Sequence, residues 1–229
     1  MLHFKPEEKT RRHLRITAAL LMAATGAILA TTVGGHALRL DMPIFSEPEG
    51  LRTVALTALL MLLSLTATAL LLNTQPRLRY LAGGLSLIVL ACGTLFLSDH
   101  FLQLRLEESL RLATPAADNS LSFIFLATAL MSYSLSPRLL GRFAITSSFL
   151  AWLIPALSLT CFYFGAEALG GFLTDGQPDS ATALTTALCF LLLSLALVLS
   201  QTQYGPTRIL ASPGCSGSHA GRRSGAGHS

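Results

Sequence analysis

Apolar residues along this chain gather into six stretches free of Asp, Glu, Lys and Arg: Ile16 to Leu38, Thr53 to Pro76, Tyr80 to Ser98, Asn119 to Pro137, Phe143 to Ala166 and Ser180 to Thr207. A membrane-spanning helix needs about 20 mainly apolar residues in succession, so every stretch is long enough to cross. Transmembrane strands would need only about 10 residues of alternating polarity, whereas Leu and Ala fill these stretches without alternation. Helices are therefore the predicted spans. Trimming at polar and turn residues places them at 14–34, 52–73, 78–98, 120–136, 143–165 and 183–202, and no acidic or basic residue falls in the interior of a predicted span.

Composition agrees with a lipid environment. The 229 residues are 52% hydrophobic and 12% charged, where a soluble domain carries about 25% charged residues. The first helix has the basic lead of a secretory signal, with Gly35-His36-Ala37 as a candidate cleavage site. Its apolar stretch exceeds the ~7–15 residues of a signal core, and five spans follow, so a retained anchor is the simpler reading.

Basic residues stay on the cytoplasmic side of short loops. Lys5, Lys9, Arg11, Arg12 and Arg15 precede the first helix; Arg77 and Arg79, Arg138 and Arg142, and Arg208, Arg222 and Arg223 fall on the same side, twelve of the sixteen in all. The opposite loops hold Asp41, Glu47, Glu49, Asp99, Glu107, Glu108, Asp118, Glu167, Asp175 and Asp179 beside four arginines. The expected fold is thus all-α: a polytopic membrane protein of six transmembrane helices in three hairpins, both termini cytoplasmic, in the bacterial inner membrane. It comprises a basic N-terminus (1–13), the helical domain (14–203) and a tail (204–229), with short cytoplasmic turns at Pro76 and Pro137. The net charge of +4 then reports topology; no basic face interleaved with aromatics suggests nucleic acid.

An internal similarity supports the hairpin division. Leu121-Ser122-Phe123-Ile124-Phe125-Leu126 in helix four aligns with Leu188-Cys189-Phe190-Leu191-Leu192-Leu193 in helix six, and Met61 to Leu65 in helix two aligns with Leu191 to Leu195. The stretch Ala183 to Leu197, preceded by Phe162-Tyr163-Phe164-Gly165, and the turn Ala117-Asp118-Asn119-Ser120-Leu121 resemble the multi-pass membrane input region of bacterial sensors, which stands ahead of PAS, histidine kinase or diguanylate cyclase domains. The resemblance covers residues 14 to about 213. It implies a conformational signalling role, with an output domain after a further hairpin. The family pattern often has His where Thr185 stands and Pro where Asp118 stands.

No output machinery follows here: the sequence has no phosphoacceptor His-Glu run, ATP lid or cyclase signature. Ala211 to Ser229 contains five Gly, five Ser, two Arg and two His but no Leu, Ile, Val or Phe, a composition that cannot form a core. A frameshift after Gly214 in a longer sensor accounts for this best, and a flexible cytoplasmic tail is the alternative.

Other candidate chemistry is sparse. Cys92, Cys161, Cys189 and Cys215 show no Cys-x-x-Cys spacing and read as small hydrophobes. His36 and His100, with Asp99, are the outer-face residues chemically able to hold a metal, but their spacing matches no metal motif, and solvated loop residues are the plainer reading. Pro155 should kink helix five. Gly26, Gly83 and Gly84 permit close helix approach, Asp99 to Leu112 reads as an amphipathic surface element, and Trp152 and Tyr163 are candidates for the membrane interface. Nucleophile-elbow, zinc-helix and phosphate-loop motifs are lacking. The expectation is a non-enzyme without cofactor whose partners are the lipid bilayer and a second copy of the chain. A small facilitator or a structural subunit of a membrane complex is the competing class.

Overall fold

A computed structural model describes residues 8–38, 55–73, 75–103, 115–164 and 184–200, which form six α-helices and no strand. These are α1 (Glu8–Leu38), α2 (Ala55–Leu72), α3 (Pro76–Leu102), α4 (Ala117–Leu135), α5 (Pro137–Phe164) and α6 (Leu184–Ser200). Three of them, through Arg12–Thr32, Pro76–Leu102 and Leu140–Thr160, are long and apolar enough to cross a membrane. These three are the odd-numbered helices.

Several boundaries differ from the sequence expectation for physical reasons. Pro76 and Pro137 are not turn residues but the first residues of α3 and α5, where a missing N–H costs nothing and the fixed φ suits a helix. Asn73 and Gln75 flank the α2–α3 connection, and Ser136 alone joins α4 to α5. Helix α1 begins at Glu8, inside the segment assigned to a basic N-terminal extension. Asp99 to Leu102 continue α3 instead of starting a separate surface element; the helix stops at Gln103, whose φ of 50° is a left-handed C-terminal cap. The rest of that proposed element, and the tail from 204, lie outside the described residues.

Long and short helices alternate. The odd-numbered helices have 31, 27 and 28 residues and the even-numbered ones 18, 19 and 17. Each long helix packs against two short ones: α1 on α2 and α6, α3 on α2 and α4, α5 on α4 and α6. The short helices also meet one another, so they form an inner triad with the long helices in its clefts. Burial follows this arrangement: 13 of 19 residues of α4 are buried, against five of 27 in α3.

The buried positions of α3 are Ala82, Ser86, Val89, Gly93 and Phe96, and those of α1 are Ala18, Met22, Thr25 and Leu29. Spacings of three and four make one narrow seam on each outer helix. Only 22–28% of the apolar stretch of each outer helix is buried in all. Ile16, Leu20, Leu87, Ile88, Leu95, Phe143 and Phe149 all face outward. A continuous apolar exterior of this kind would aggregate in water and suits lipid.

The internal similarity has a spatial counterpart. Phe123 and Phe190, equivalent positions in the aligned segments, meet edge to face at 4.8 Å, and both are fully buried. Of the anticipated small-residue contacts, Gly83 makes a close one: a Cβ there would lie 3.1 Å from Ser134 Oγ. Gly84 faces open space, and Gly26 has only an ordinary 3.5 Å neighbour in Leu65. The close approach not anticipated is Gly93, where a Cβ would lie 3.2 Å from both the Ser120 carbonyl and Ile124 Cγ1.

Ser and Thr hydroxyls mostly turn back on their own helices. Thr25, Ser64, Thr68, Ser86, Ser122 and Ser148 each donate to the carbonyl four residues earlier at 2.7–2.9 Å. This satisfies the hydroxyl without a partner across the interface.

Candidate functional site

Polar contacts between helices stand at the two ends of α4. At its C-terminal end, Arg79 of α3 donates to the Tyr133 carbonyl at 2.9 Å, placing a guanidinium at the negative pole of the helix. Tyr133 itself is buried, and its hydroxyl lies beside Ser148 of α5 in a contact that falls short of hydrogen-bond geometry.

The N-terminal end is the richer one. Asp118 lies in the first turn of α4, after the extended Ala116, and is 5% exposed. Its Oδ1 accepts the Asn119 N–H at 2.8 Å and its Oδ2 accepts the Ser158 hydroxyl of α5 at 3.1 Å. The same hydroxyl has the Ile154 carbonyl within 3.2 Å as an alternative acceptor. Asn119 and Ser120 are buried alongside. Thr185 and Thr186, buried in the first turn of α6, are also engaged in interactions, as is Asn119. Ser120 Oγ is enclosed with no hydrogen-bond partner among the described residues.

This cluster lies below the level at which the flanking helices end. Gly93 of α3 lies level with Ser120, and Ser158 of α5 with Asp118. Beyond those levels α3 continues to Leu102 and α5 to Phe164, about 13 and 9 Å at 1.5 Å per residue. The start of α4 therefore lies short of the ends of the two longer helices that flank it. It brings together a carboxylate, a carboxamide and hydroxyls, a set that recognises hydrogen-bonding or cationic groups away from bulk water.

The sequence places Asp118 in an outer loop, ahead of a helix starting at 120, and so predicts no carboxylate within a helix. The structure corrects this: Asp118 is helical and buried. The sequence signal was the polar run Asp118-Asn119-Ser120 directly before an apolar stretch. Of the metal candidates, Asp99 and His100 are consecutive in the last turn of α3; His100 is exposed, with its ring 6.0 Å from that of Phe101. His36 is in α1, its side chain outside the described residues. No three His, Cys, Asp or Glu side chains converge among the described residues.

Pro155 is buried within α5, which continues as a helix on both sides of it, so the chain is not broken there. Trp152 lies near the middle of the 28-residue α5, stacked on Phe149 at 6.0 Å, while Tyr163 is at its end. Only Tyr163 has the axial position of an interface residue. Comparisons of the chain with protein-family models, curated proteins and solved structures gave no match.

Proposed function

We propose that the chain is a multi-pass protein of the bacterial inner membrane, with all six helices spanning and both termini cytoplasmic, that serves as a non-catalytic sensory input module. The observation that carries this reading is the pinning of α4 at both ends. Asp118 joins it to α5 at its start, and Arg79 joins α3 to its far end. A change in the polar contacts at Asp118 would shift α4 along or about its axis and alter packing at the end that carries Arg79. Such a shift between packed helices is a recognised mode of switching. The resemblance of Ala117 to Leu121 and Ala183 to Leu197 to sensor input regions supports the same role.

Orientation is tested by alkaline phosphatase fusions, with activity expected after Leu112 and none after Gln75; the reverse pattern would overturn it. Function is tested by reconstitution. The sensor reading expects no solute flux in proteoliposomes together with a dimer captured by cross-linking, whereas saturable flux would favour a facilitator.

A further inference from the structure

Exposed arginines collect at one end of the bundle. Arg77 lies in the first turn of α3 and Arg142 in the second turn of α5, and both are exposed. They share an end because Arg79 of α3 reaches the Tyr133 carbonyl near the close of α4, and α5 begins two residues after α4 stops. In the topology proposed above the start of α1 lies at this end too, with exposed Arg12 and Arg15. On each outer helix the arginine adjoins exposed large apolar side chains: Arg15 beside Ile16, Arg77 ahead of Tyr80 and Leu81, Arg142 beside Phe143. The buried or half-buried carboxylates Asp118 and Asp99 lie at the opposite end.

We infer that these arginines form a collar that binds the phosphate groups of anionic phospholipids. The sequence from guanidinium to apolar side chain on three separate helices matches the step from headgroup to acyl chain. The guanidinium fork suits phosphate oxygens. Arg79, whose guanidinium is committed to the Tyr133 carbonyl, is a structural cap and stands apart from the collar. The occupant is a lipid headgroup and not a free anion, because the arginines are spread around the perimeter instead of converging on one pocket, and each has its own apolar neighbour for an acyl chain. This rests on the membrane reading proposed above but not on the sensory role.

The test uses the full chain purified in a neutral detergent. It is titrated with short-chain phosphatidylglycerol or the matching phosphatidylcholine while thermal unfolding is followed by circular dichroism. Phosphatidylglycerol is expected to raise Tm and phosphatidylcholine to leave it unchanged. R77Q/R142Q should weaken the phosphatidylglycerol response about 25-fold, at about fivefold for each basic residue near a lipid surface. Equal responses to the two lipids, no response to phosphatidylglycerol, or an unchanged response in R77Q/R142Q would each overturn the proposal. Inorganic phosphate at matched concentration should have no effect; a shift equal to that with lipid would mean a free-anion site and also overturn it. If R77Q/R142Q does not fold, R77K/R142K decides, because a charge collar keeps its lipid preference there and a loss of preference refutes it. Failure of the membrane reading is distinguishable, since the alkaline phosphatase fusions would then be inactive throughout.

Discussion

Substituting Gly93 by alanine probes the α3–α4 contact beside the start of α4. The added methyl would meet the Ser120 carbonyl and Ile124 Cγ1 at 3.2 Å and the Ile124 amide nitrogen at 3.4 Å. Two of these atoms are helix backbone and cannot rotate away, so relief requires α3 and α4 to separate. Overpacking of this kind costs about 1–3 kcal/mol. Against this, alanine is preferred over glycine inside a helix by about 0.5–1 kcal/mol. Gly84, on the same helix with nothing within 4 Å of its Cβ position, supplies the control, because G84A receives the propensity gain without the clash. The difference between G93A and G84A then isolates the contact at about 1–3 kcal/mol. The assay is unfolding by sodium dodecyl sulphate in mixed micelles, followed by far-ultraviolet circular dichroism, with midpoints compared for the wild type and the two variants. Equal midpoints for G93A and G84A, or a higher one for G93A, would refute the close approach.

Three further outcomes are expected in the same assay. G83A should lose about 1 kcal/mol to overpacking against Ser134 Oγ at 3.1 Å, and adding S134A should restore much of it, which a double-mutant cycle measures. S120A should leave stability unchanged or raise it by about 1 kcal/mol, because the lost hydroxyl is buried without a partner among the described residues; a loss of stability would mean that this hydroxyl is bonded. R79Q should cost about 1–2 kcal/mol through the charged hydrogen bond to the Tyr133 carbonyl and the pole of α4. R79K, which keeps the charge but not the fork, should fall between wild type and R79Q.

The helical class was legible because lipid imposes a coarse rule, long apolar stretches, that survives any detail of packing. All six described helices overlap the stretches read from charge spacing. The same procedure hid Asp118. A stretch measured from one charged residue to the next ends at every charge by construction, so a buried carboxylate in a first helical turn is assigned to the adjoining loop. Pro76 and Pro137 were misplaced for a related reason, since proline marks either a turn or a first helical residue and composition alone does not separate them. Which helices lie inside depended on tertiary contacts. The Phe123 and Phe190 similarity was visible in sequence, but that the two rings touch was not. The partnership of Asp118 with Ser158, 40 residues away, needed the antiparallel packing of α4 and α5.

The self-contained hydroxyls of the helices bear on how the bundle could move. Where Ser64, Thr68 and Ser86 spend their protons on their own backbones, neighbouring helices touch through surfaces without adhesive polar bonds. Sliding one past another by an ångström or so then breaks no such bond and is resisted mainly by side-chain steps. At Asp118–Ser158 and Arg79–Tyr133 the same displacement must rupture a charged link. The α3–α4–α5 group is thereby riveted at the two ends of α4, and any movement of α4 along its axis must release a rivet.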